Sequence, residues 1–235
     1  MKCILVLVSL ILSGLVLANE RSLYKFSWLD QDKEIYVLQN RKFRKVGGVY
    51  VGATGVKTLS GAFVDSYGGS VRAGYFFTED WGLEFAFGKN SGKENNTARG
   101  VRSQGTVPFY RKIDSYTGAM LMWSPFYSKI NTFNKVFYFD WMFGLGAASI
   151  ATQDNRNKFN TGSFDEDTLT KENNFGILWN TGFRFYLTEH WSLRADITGL
   201  NYRGTSVTQT GASPTTKSEK IFGNYDLGLG LNYSF

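Results

Sequence analysis

The sequence predicts an all-β chain folded as an eight-stranded antiparallel up-and-down transmembrane β-barrel, and three observations predict it. Large apolar residues recur at every second position over several long stretches, which is the period of a strand whose neighbouring side chains face opposite ways. The connections between these stretches alternate between short and long, as in barrels with tight turns on one rim and loops on the other. Composition agrees, with 17% aromatic residues and Gly 26 against Pro 3, a balance that favours strands and turns over helices.

Taken in order, the chain opens Met1-Lys2-Cys3 and continues "ILVLVSLILSGLVLA". A basic start, a short apolar core and small residues at its end read as a secretory signal peptide over residues 1–18. The run falls short of the ~20 residues a membrane helix needs. Cys3, the one cysteine, leaves with the signal, so the mature chain has no thiol, disulfide or cysteine metal ligand. Residues 19–42 lack the barrel pattern and are expected as a periplasmic N-terminal segment. Residues 43–235 form the barrel.

The first strand is expected about Gly48 to Gly55 and the second about Tyr67 to Phe77. In the third, Trp81, Leu83, Phe85 and Phe87 alternate with Gly82, Glu84, Ala86 and Gly88. The fourth, Asp114 to Phe126, is the least regular, because "TGAMLMW" is apolar on both faces. The fifth alternates Phe137, Phe139, Trp141, Phe143 and Leu145 with small or polar residues, the sixth runs from Phe175 to Leu187, and the seventh begins at Trp191. The eighth, "YDLGLGLNYSF", keeps a large apolar residue at every second position up to Phe235. Each pattern lasts about as long as a tilted membrane strand, ~9–11 residues.

"TED" at Thr78 to Asp80 and "TEH" at Thr188 to His190 are tight turns, and Tyr127 to Lys135 is a somewhat longer one. Polar stretches near Val56–Ser66, Lys89–Ile113, Ile150–Asn173 and Arg203–Lys220 are expected as long loops on the opposite rim. Trp81 and Trp191 each follow a tight turn. With Tyr233 and Phe235 they are expected in an aromatic girdle at head-group depth on the periplasmic side.

Alternation alone does not say which face is outside, since a soluble barrel is apolar within. The polar face decides it: Gly, Ser, Asn and Asp with scattered Arg, while Lys is concentrated in the connections. That suits a narrow polar lumen with an apolar band outside. The inner face then carries Arg72, Arg184 and Arg194 with Glu84, Asp140, Asp196 and Asp226. These charges nearly cancel, and on the lipid face a midplane Arg would cost roughly 2–4 kcal/mol. They are expected as a lumen network, read either as a plug or as the lining of a narrow polar path.

"QNRKFRK", "GYFFTEDWGLE", "WSPFYSK", "FYFDWMFGLGA", "GFRFYLTEHWSLRADI" and the closing "NYSF" together resemble a family of small outer-membrane β-barrel domains best known from predatory and gliding bacteria. In architecture the chain resembles the OmpA, OmpX and OmpW barrels. The likeness covers roughly Ile35 to Phe235. It implies the outer membrane of a Gram-negative bacterium and no assigned reaction, and no catalytic residues carry over; no cofactor is expected. The aromatic Phe235 also resembles the terminal signal read by the barrel assembly machinery.

The single histidine is the candidate base for catalysis. His190 and Ser192 stand two apart, the spacing that puts a base and a nucleophile on one strand face. His190 is nevertheless expected in a solvated periplasmic turn, so no catalytic residue is assigned. A hard-cation site would have to draw on Asp165–Asp167 with Glu172 and Asp154. Their spacing fits no calcium loop, and no metal is assigned. "NNT" at Asn95 matches a glycosylation pattern without force in a bacterial setting.

The formal charge is +6 with dispersed basic residues, unlike a nucleic-acid arm, and an exported chain meets little nucleic acid. Lys89, Lys93, Arg99, Arg102, Arg111 and Lys112 crowd one loop, where they are expected to meet lipopolysaccharide phosphates. The expected function is a monomeric structural or surface-interaction protein of the envelope. A narrow channel or transporter for small solutes or apolar ligands is the alternative, and a lipid-active barrel enzyme the third.

Overall fold

The computed structural model describes residues 41–105, 108–132, 135–156, 169–208 and 216–235. The chain divides into residues 1–41 and a second unit, Lys42–Phe235, that holds the strands described here. The expected signal peptide and nearly all of the expected N-terminal segment therefore lie outside the described residues.

The strands are β1 (Val49–Thr58), β2 (Val64–Phe76), β3 (Trp81–Glu94), β4 (Arg111–Thr132), β5 (Lys135–Asp154), β6 (Thr170–Tyr186), β7 (Trp191–Thr208) and β8 (Thr216–Ser234). Each pairs antiparallel with its sequence neighbours, and β8 closes on β1. Closure leaves no open edge, so every strand has a hydrogen-bonding partner on both sides, the condition for crossing lipid. A helix α1 (Asn96–Ser103) caps the β3–β4 connection; the Asn95 side chain accepts from the Ala98 N–H at its start.

Pairing fixes the stagger. Followed round the barrel from Val49 through Tyr75, Leu83, Leu121, Leu145, Trp179, Gly199 and Tyr225, the register returns to β1 at Leu59, ten residues further on. With the usual strand spacings this corresponds to a tilt of about 40°.

Side chains obey the expected alternation. Val71, Leu83, Phe85, Phe87, Leu121, Leu145, Ile177 and Leu229 face out and are exposed, while Arg72, Glu84, Met120, Asn180 and Arg194 between them are buried. Outward apolar residues without inward cover require hydrocarbon, not water. Some glycines are positional: Gly47, at φ 73, turns the chain into β1, and a Cβ on Gly74 would stand 2.4 Å from the Tyr50 ring.

Three expectations need correction. The strands are longer than their apolar patterns, above all β4 with 22 residues and β5 with 20. Their polar ends alternate polar against polar, which leaves no hydropathy contrast to read. The longer turn from Tyr127 to Lys135 is mostly strand: Thr132 pairs with Lys135 in a tight hairpin. Finally, the interior is not polar throughout. Met120, Met122, Met142, Ile150, Leu178 and Leu200 form a buried apolar sector inside β4 to β7, which is why "TGAMLMW" is apolar on both faces.

Candidate functional site

The interior beside the apolar sector is built by inward residues of β1, β2, β3, β6 and β7. Arg194 sits at its centre. Its Nη1 donates to Glu84 Oε2 at 2.5 Å, its Nε to Asp196 Oδ2 at 2.5 Å, and its Nη2 to the Asn180 side-chain oxygen at 2.9 Å. Arg72 donates to Glu84 Oε1 at 3.1 Å and to Thr198 Oγ1 at 2.9 Å, and lies 3.5 Å from Asp196. The Tyr50 hydroxyl donates to Glu84. All four charged side chains are fully shielded from solvent, so two cations and two anions neutralise each other across the barrel from β2 and β3 to β7. Pairing of this kind offsets a desolvation cost that would otherwise be prohibitive.

The other expected network members stand apart from this quartet. Asp140 Oδ2 accepts from Lys45 Nζ at 2.9 Å and from the Tyr186 hydroxyl at 2.5 Å. Asp226 is held by neutral donors: Thr58, Asn224 and Asn90. Arg184 lies over the Tyr50 ring, 4.2 Å from its centroid. One continuous network of all seven is therefore replaced by a central quartet and separate groups nearer the rims. The cause is geometric: residues two apart on a strand are ~6.6 Å apart along it, too far for every charge to reach a common centre.

Lys45 is the residue that sequence reasoning missed. It belongs to the segment before β1, which folds under the short-turn mouth: the Gly47 N–H donates to the Phe76 carbonyl, and Phe43 stacks on Tyr186 at 4.6 Å. Lys45→Met should cost about 1–3 kcal/mol, because Asp140 loses its ammonium donor in a buried setting. Urea titration of the refolded barrel reads it, and Asp140→Asn in the same chain should recover part of the loss.

At the opposite rim, Arg111 and Arg156 converge on Asp154 and Glu172 at 2.6–2.8 Å. Glu172 lies above Phe175, the first large outward residue of β6. Burial alone would raise its carboxyl, but Arg111 and Arg156 outweigh it and hold it below the ordinary range. The expected phosphate-contacting set is thereby corrected. Arg111 is turned inward with only 3% of its side chain exposed, Arg102 is paired with Glu94, and Lys112 donates to the Gly92 carbonyl. Lys89, Lys93 and Arg99 are exposed.

Among the described residues, catalysis and metal binding gain no constellation. His190 Nδ1 lies 2.9 Å from the Ser234 carbonyl and its ring stacks on Tyr233, whereas the Ser192 hydroxyl is buried inside without a hydrogen-bond partner. The pair splits because β7 starts at Trp191, which leaves His190 in the turn. Asp165–Asp167 lie outside the described residues, and Asp154 and Glu172 are engaged by arginines. Among the described residues no group of acidic or histidine side chains is arranged to hold a metal. Trp81, Trp191, Tyr233 and Phe235 gather at the short-turn rim, where Trp191 packs edge-on against Tyr233 at 5.2 Å and Tyr233 against Phe235 at 5.1 Å.

The family model for the outer membrane protein beta-barrel domain matches residues 38–235. The chain belongs to that family. Membership places this barrel in the outer membrane of a Gram-negative cell. Among solved structures it is similar to the outer membrane protein OprG from Pseudomonas aeruginosa, at 14% identity and TM-score 0.50, covering 82% of this chain and 98% of that one. Neisserial surface protein A is matched at 12% identity and TM-score 0.46, over 80% of this chain and 96% of that one. The N-terminal barrel domain of Pseudomonas aeruginosa OprF is matched at 17% identity and TM-score 0.42, over 81% and 98%. The likeness to OprG speaks for the fold alone. No curated protein matches the sequence.

Proposed function

We propose that this outer-membrane barrel is a structural or surface-interaction protein whose lumen is closed, with its short turns and both ends of the barrel domain in the periplasm. The observation that carries this reading is the central quartet: Arg72, Glu84, Arg194 and Asp196 are fully shielded and pair with one another across the interior. A conducting path would need water beside these groups, and none of the four side chains is exposed to it. The working surface is then the far rim, where the strand ends, α1, Lys93 and Arg99 stand clear of the apolar band. Those cations suit lipopolysaccharide phosphates. A monomer is sufficient for this role, and no reaction or cofactor is assigned.

Solute leakage from vesicles tests the closure. Arg72→Ala with Arg194→Ala should convert a tight barrel into a leaky one, as two long side chains are removed and two carboxylates are left to draw in water. A channel would already leak in the wild type, and the substitutions would change its selectivity.

A further inference from the structure

The short-turn mouth holds a cavity of about 310 Å³, lined among others by Arg184, Tyr186, Phe43, Lys42 and Arg44. We propose that it is a binding site for a phosphate group, with the Arg184 guanidinium as its floor.

Charge balance is the first argument. The central quartet is neutral, but the layer beneath it is not. Two buried cations, Lys45 and Arg184, face one buried carboxylate, Asp140. Asp140 is the cross-strand partner of Arg184, yet the two do not pair: Oδ2 is taken by Lys45 and Tyr186, and Oδ1 is buried without a partner. The nearby Glu79 accepts from the backbone N–H groups of Lys45 and Val46. Among the described residues Arg184 makes no ion pair, whereas Lys45 is paired with Asp140, and a buried cation without an anionic partner is a condition that proteins avoid unless a ligand supplies one.

Hydrogen-bond capacity is the second argument. Arg184 is 2% exposed, and its Nε and Nη2 have no hydrogen-bond partner. The guanidinium is fixed from one side by the Tyr50 ring at 4.2 Å and the Phe76 ring at 5.6 Å. Nε and Nη2 are adjacent on one edge of the fork, and two parallel donors on one edge match two oxygens of one oxyanion.

The opening favours phosphate over a carboxylate. Lys42 and Arg44 stand exposed at its edge, against one carboxylate side chain in the lining, Glu189. His190 is turned to the Ser234 carbonyl. Three cations around one entrance suit a group that can carry two charges and offer a third oxygen to the rim.

The test uses the full mature chain, refolded in octyl glucoside, which contains no phosphate. Phosphorus NMR follows titration with inorganic phosphate and, separately, with short-chain phosphatidylglycerol. Saturable binding is expected, weakened about tenfold or more by Arg184→Gln. Acetate should bind far more weakly. If the phospholipid binds at least tenfold tighter than inorganic phosphate, the occupant is a lipid head group; equal affinity assigns a free phosphate. Should Arg184→Gln fail to give a heat-modifiable band, Lys42→Gln with Arg44→Gln alters exposed positions only and should weaken binding several-fold. No saturation below about 10 mM, affinity unchanged in these variants, or acetate binding as well as phosphate would each overturn the proposal.

Discussion

Glu84→Gln is expected to destabilise the barrel by roughly 3–5 kcal/mol, the range for breaking a buried ion pair from one side. Glu84 receives Arg72, Arg194 and the Tyr50 hydroxyl, and none of its surface meets solvent. Without its charge, two guanidinium groups share Asp196 alone. The remedy distinguishes this from a packing defect. Adding Arg194→Met should restore much of the loss, because one cation would then face one anion again. Urea unfolding in lipid vesicles reads both variants, and a Glu84→Gln barrel as stable as the wild type would mean that the quartet does not bear on stability.

Phe85→Arg should cost a comparable amount, about 2–4 kcal/mol, for a different reason. Phe85 faces outward with 58% of its surface exposed and lies four residues along β3 from Trp81 at the rim, near the middle of the apolar band. An Arg there has hydrocarbon around it. The same change at Trp81 should cost about 0–1 kcal/mol, since charge is tolerated at the interface. That depth dependence separates lipid from water: on a soluble barrel both positions would be exposed, and both changes would fall within about 0.5 kcal/mol of neutral.

The barrel was legible wherever one face is apolar and the other small or charged. β3 and β8 show this contrast over their membrane portions, and the pattern locates them closely. The strand ends were not legible: Thr170 to Asn174 reads "TKENN" and continues β6, yet carries no hydropathy alternation. Arg194 and Asp196 could be placed on one inner face because a strand repeats every two residues. Their partnership with Glu84 and Arg72 depends on the ten-residue stagger, which no local pattern encodes. Lys45 comes from an irregular segment without any period, and only the folded mouth brings it to Asp140. Arg111 looked like a loop cation because its surroundings are polar. In the fold it begins β4 and turns inward to Asp154 and Glu172. Buried methionines confused β4 for the opposite reason, since they are apolar residues on the face read as polar.

Single-channel recording of the wild-type chain tests the central claim most directly. The mature protein, refolded until it runs as a heat-modifiable band, is inserted into a planar bilayer. The closed quartet predicts silence from demonstrably folded barrels. Reproducible discrete conductance steps, abolished by unfolding, would contradict it and make Arg72, Glu84, Arg194 and Asp196 the walls of a permeation path.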